Sequence, residues 1–110
     1  MATFLLKKSY QLSNLKEVPF KDLWGSRGVF TTMRMVGRPP KLILLKPHLE
    51  NLIQSTKNYA IKKKNLKNVL MDLIKKNMLY KGPDNLFRIA LNKKLISVSI
   101  RKRPIPKNNF

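Results

Sequence analysis

An α+β domain, an antiparallel sheet with two helices packed on one side, is the fold class this sequence predicts. Strand-like alternation runs through VFTTMRMV in the first third of the chain and through NLFRIALNKKLISVSIRKR near its end. Between them the apolar residues recur with helical spacing. Strands first, two helices, then strands again is the order of a sheet with its helices segregated to one face.

Residues 2–15, ATFLLKKSYQLSNL, hold an apolar patch and then mixed alternation, which predicts an edge strand or a hairpin turning at Ser13-Asn14. Residues 16–27 read as irregular, since Pro19 and Gly25 interrupt any period. In VFTTMRMV, β-branched and aromatic residues favour a strand. Period two puts Val29, Thr31, Met33 and Met35 on one face, and Phe30, Thr32, Arg34 and Val36 on the other. GRPP is a turn and KLILL a short apolar strand after it. From Leu49 the spacing turns helical, with Leu49, Leu52, Ile53, Thr56, Tyr59 and Ala60 on one stripe, and Pro47 suits the first turn. KKKN breaks that helix. A second one carries the clearest period of the chain, in Leu66, Val69, Leu70, Leu73, Ile74, Asn77 and Met78. Gly82, Pro83 and Asp84 end it. The last hairpin sets Phe87, Ile89 and Leu91 against Ile96, Val98 and Ile100, and a proline-punctuated tail, PIPKNNF, follows.

At 110 residues the chain has material for one domain, 1–110, and one core. Hydrophobic residues make up 43%, enough to escape the composition of disordered chains. The absence of cysteine excludes a disulfide framework, a zinc ribbon and a thiol nucleophile. No apolar run reaches the roughly 18–20 residues that span a bilayer, and the N-terminus lacks signal-peptide organisation. The expectation is a cytoplasmic protein with no membrane partner.

Twenty-four Lys and Arg face five acids, for a net charge of +19. Such an excess attracts polyanions through counterion release, so RNA is a partner to consider. The KKK run at 62–64 and RKR at 101–103 favour a basic RNA-binding or ribonucleoprotein-associated protein as the alternative function. Two features weigh against it: lysine is dispersed alongside asparagine, and aromatics are not interleaved with the basic residues along the chain.

Catalytic constellations are missing from the sequence. The acids Glu17, Asp22, Glu50, Asp72 and Asp84 are scattered, and His48 has no cysteine or carboxylate set with which to bind a metal. At the start of a helix, His48 reads as an orienting or capping group. Arg34 and Arg88 stand out because each sits on a strand among small or apolar neighbours. A planar fork of donors there suits phosphate or carboxylate.

The ordered set Gly28, Val29, Phe30, Thr31, Thr32, Met33, Arg34, then Leu44, Leu45, His48, Leu49, Leu52 and Ser55, resembles the N-terminal small domain of class IV aminotransferases. These are the fold-type IV pyridoxal-phosphate enzymes, and the Thr31-Thr32 pair is closest to aminodeoxychorismate lyase. The likeness covers about residues 18–103. It departs at Gly25-Ser26-Arg27-Gly28, where the family has an aromatic, Gly, Asp, Gly; the acid is replaced by Arg27, and the nearest aromatic is Trp24.

What the resemblance implies is a lyase or transferase small domain that uses pyridoxal phosphate. Arg34 would bind the cofactor phosphate and Arg88 a substrate carboxylate. The Schiff-base lysine belongs to a large C-terminal domain outside these 110 residues, so no catalytic residue is assigned and the chain alone is expected to be inactive. A large catalytic domain or second subunit is then the implied partner. Self-association is expected through the face such a partner would cover.

Overall fold

The computed structural model describes residues 4–23, 25, 27–78 and 84–102. Its elements are β1 (Phe4–Gln11), β2 (Glu17–Val18), β3 (Val29–Val36), β4 (Lys41–Leu42), α1 (Leu45–Ser55) with a 3-10 extension (Thr56–Tyr59), α2 (Leu66–Asn77), β5 (Asp84–Leu91) and β6 (Leu95–Lys102). The strands form one antiparallel sheet in the order β2-β1-β6-β5-β3-β4. The fold is the α+β class expected from the sequence. Among the described residues no helix is long and apolar enough to cross a membrane.

Alternation decides which side of the sheet is buried. Met33 lies opposite Phe87, Phe87 opposite Ile100, and Ile100 opposite Leu6, so one row crosses four strands. Ile89 and Val98, then Leu91 and Ile96, continue the same face. Onto it pack Leu49 and Leu52 of α1 and Leu66, Leu70, Leu73 and Ile74 of α2, in one hydrophobic cluster. The helical period matters because only those positions of each helix turn toward the sheet.

Several element boundaries differ from expectation: Glu17–Val18, inside the stretch read as irregular, pairs with β1 as β2. KLILL contributes only Lys41 and Leu42 to the sheet. Leu44 takes a left-handed conformation, φ 56°, which ends the extended segment and starts α1 at Leu45, four residues before the apolar stripe becomes readable. Ile43 and Leu44 are consequently exposed. Asp84, read as part of a helix stop, is instead the first residue of β5. Ala60, placed on the apolar stripe, is exposed, because its own left-handed backbone (φ 54°) ends the 3-10 turn. Trp24, Ser26, Gly82, Pro83 and the PIPKNNF tail lie outside the described residues.

Candidate anion site on the outer face of the sheet

The side of the sheet away from the helices carries the alternate residues of each strand. On β3 these are Phe30, Thr32, Arg34 and Val36, on β5 Leu86, Arg88 and Ala90, on β6 Ser97, Ser99 and Arg101, and on β1 Lys7 and Ser9. Small or polar residues dominate, so the face cannot serve as a second core.

Part of it is covered by the chain itself. Residues 20–23, after β2, cross β1 and β6 and bury Leu23. They are held by a closed ring of hydrogen bonds. The Lys21 N–H donates to Ser9 Oγ (2.9 Å), Ser9 Oγ lies 2.7 Å from Ser97 Oγ, and Ser97 Oγ donates to the Lys21 carbonyl (2.7 Å). Ser9 and Ser97 are direct cross-strand partners, so the pair presents an acceptor and a donor to the N–H and C=O of a single residue. This satisfies both polar groups of Lys21 where the chain would otherwise lie on a dry surface.

Beyond the crossing segment, β3 and the adjoining half of β5 keep an open face, and both arginines singled out in the sequence lie on it. Arg34 faces Leu86 across the ladder, and Thr32 faces Arg88. Arg34 therefore has Asp84 on one diagonal and Arg88 on the other, each within reach of a long side chain. It turns to the acid: Nε and Nη2 each donate to a separate Asp84 carboxylate oxygen at 3.2 Å. That hydrogen bond, then the charge of Asp84, holds the guanidinium pKa above its ordinary value. Arginine is protonated at every accessible pH, so this raises no pH dependence of its own. The fork read from the sequence as available is thus already engaged by a carboxylate from the same chain. The pair is exposed, and water can compete for it.

Arg88 is held differently. Its guanidinium carbon sits 4.7 Å from the centre of the Phe30 ring, a cation–π contact between neighbouring strands. Lys7 similarly lies 5.3 Å from the Phe4 ring and 5.6 Å from that of Phe20. The sheet adds a contact that the linear order does not show: β3–β5 pairing brings Phe30 and Arg88, far apart in sequence, together. Arg88, Leu23, Gly25, Gly28, Phe30 and Ala90 line a cleft of about 300 Å³ on this face.

Gly28, at the head of the resemblance motif, has a packing reason to be glycine. A Cβ there would overlap the Leu91 carbonyl oxygen and crowd the Asn92 Cα, because the chain enters β3 directly against the end of β5. His48 faces the helical side, where its Nδ1 lies 2.8 Å from Thr31 Oγ1 and ties α1 to β3. It orients rather than caps: the residue before α1 is Leu44, which makes no side-chain cap. Among the described residues no group of three His, Cys, Asp or Glu could hold a metal.

The pyridoxal phosphate that the resemblance implies would be anchored through its phosphate, and a guanidinium fork is the donor type that suits such a group. Arg34 already presents two parallel N–H donors to an oxyanion on the open face, with the carboxylate of Asp84 in the place of a ligand anion. Compared with protein-family models, with curated proteins and with solved structures, the chain matches none.

Proposed function

We propose that this chain is the small domain of a class IV pyridoxal-phosphate enzyme of the aminodeoxychorismate lyase kind, completed by a large domain that carries the catalytic lysine. The observation that supports the reading most is the sharing of one open sheet face by Arg34, Thr32 and Arg88, opposite the helical layer. Arg34 binds the cofactor phosphate once Asp84 yields it, and Arg88, steadied by Phe30, orients a substrate carboxylate. The cofactor, when bound, supplies the electron sink, and the protein supplies position and charge. No residue of this chain is assigned a proton transfer, so the isolated chain is inactive in this reading.

The large domain, or a second subunit, covers the outer face. Phe30, 57% exposed on that face, is the residue such a partner would bury, and self-association through this face is the expected behaviour without the partner. We assign the chain to the cytoplasm, in keeping with its lack of cysteine.

Amide NMR with pyridoxamine phosphate tests the reading, since that probe lacks the aldehyde that would react with surface lysines. The expected result is a set of shifts confined to outer-face residues of β3 and β5. Arg34→Ala should weaken the binding by on the order of tenfold, and Asp84→Asn should strengthen it by releasing the fork. Unphosphorylated pyridoxamine should produce no shifts. Shifts spread over all lysine-bearing faces, or insensitivity to both variants, would reject it.

A further inference from the structure

A second site lies away from the outer face, at the end of the sheet where the β5–β6 turn meets the 3-10 extension of α1. There Arg27, Lys57, Lys93 and Lys94, with Asn58 and Tyr59, line a groove of about 570 Å³. The four cations come from three separate segments: the approach to β3, the 3-10 turn and the β5–β6 turn. Among the described residues no carboxylate lines the groove. Like charges brought together without acids repel one another, an arrangement that an anionic ligand relieves.

The backbone beneath two of these cations, Lys93 and Lys94, is fixed. Asn92 Oδ1 accepts the N–H groups of Lys94 and Leu95, each at 2.8 Å, and the Leu12 N–H donates to the Lys94 carbonyl at 2.8 Å. The two lysines of the turn therefore project from a pinned loop. Asn58 and Tyr59 also line an adjoining groove of about 360 Å³, which runs between β3 and α1 past Ser55, Asn51, His48 and Thr31. One end is cationic and the other is lined by amides and hydroxyls, with an aromatic ring at the junction.

We infer that this continuous groove binds a nucleoside phosphate. The phosphates sit among Arg27, Lys57, Lys93 and Lys94, the base stacks on Tyr59, and the amides of Asn51 and Asn58 hydrogen-bond the base edge. Two sources share this chemistry, a free nucleotide and a single-stranded nucleic acid. The inference is independent of the outer face and of any pyridoxal-phosphate chemistry.

Fluorescence anisotropy of the intact chain with a labelled oligouridylate of about ten nucleotides, across roughly 50–200 mM salt, tests it. Two quadruple variants with the same change in net charge are compared: R27Q/K57Q/K93Q/K94Q, and K41Q/K46Q/K67Q/K75Q at exposed positions elsewhere. Removing four phosphate contacts should flatten the plot of log affinity against log salt by about 2–3, from about 0.7 per phosphate on a single strand. The control variant should leave the slope close to that of the parent chain. Tyr59→Leu should weaken binding by at least about fivefold at every salt concentration without changing the slope.

Displacement of the oligomer by ATP at comparable affinity would identify the ligand as a free nucleotide. Retention of the oligomer under excess ATP would identify a strand. Equal losses in the two quadruple variants would overturn the proposal, because the charge would then act diffusely. So would an unchanged Tyr59→Leu.

Discussion

Replacing Gly28 by alanine adds one methyl group, and the structure allows its effect to be worked out. The new Cβ overlaps the Leu91 carbonyl oxygen, a backbone atom that no rotamer change can move aside. Either β3 withdraws from β5 at the Val29–Leu91 pair or the β5 end shifts. Overpacking of this kind costs about 1–3 kcal/mol. A shift at Leu91 also disturbs the turn that follows, where the Asn92 N–H donates to Leu95 O at 3.0 Å. One weakened hydrogen bond there adds about 1 kcal/mol. Against this, alanine restricts the unfolded chain and returns about 0.4–1 kcal/mol. The net loss is about 1–3.5 kcal/mol, a sizeable share of the roughly 5–15 kcal/mol that holds a domain together. Urea unfolding followed by circular dichroism measures it as a drop of about 1 M or more in the midpoint at unchanged slope. Gly25→Ala is the contrast: among the described residues nothing lies within 4 Å of the added Cβ, but the φ of +82° imposes strain of about 1–2 kcal/mol. A Gly28→Ala midpoint within experimental scatter of the parent chain would refute the close approach of β3 to Leu91.

Leu70→Ala removes a fully buried side chain from the face of α2 against the sheet and should lower stability by about 2–5 kcal/mol in the same urea assay. Tyr10→Phe deletes the hydroxyl that accepts from Asn77 Nδ2 at 3.2 Å, inside the core, and should lower it by about 1 kcal/mol. Ser97→Ala opens the hydrogen-bond ring around Lys21. Limited trypsin digestion should then cut after Lys21 several-fold faster, while urea unfolding reports a loss of about 1–2 kcal/mol.

The parts of this fold that were legible in the sequence are those where one local period coincides with one buried face. Met33 and Met35 alternate with Thr32 and Arg34, and Ile96, Val98 and Ile100 with Ser97 and Ser99, so both faces could be assigned before any pairing was known. The stripe of α2 was equally plain, down to the buried Asn77. Segments whose geometry depends on single backbone states were not. Nothing in KLILL announces that Leu44 turns left-handed and leaves Ile43 exposed. The ring of Ser9, Ser97 and Lys21 joins residues 88 apart in sequence, and two serines among so many polar residues send no signal. For the candidate site, the sequence singled out both arginines and the face they occupy. It could not foresee that Asp84 claims Arg34 or that Phe30 underlies Arg88, since both contacts depend on the β3–β5 register. The groove around Tyr59 was missed because its four cations come from three segments.

The strand order carries a consequence for how the chain comes to be folded. Its first long strand, β1, lies between the two-residue β2 and β6, the last strand of the sheet. The serine pair that secures the crossing segment likewise forms only when residue 97 reaches residue 9. On the ribosome, β1 must wait until nearly the whole domain has emerged, with Leu5, Leu6 and Tyr10 lacking their final neighbours meanwhile. Long-range pairings of this kind slow folding relative to helical domains of equal size. The interval before β6 arrives is when a chaperone, or a stray strand from another molecule, has its best opportunity to bind.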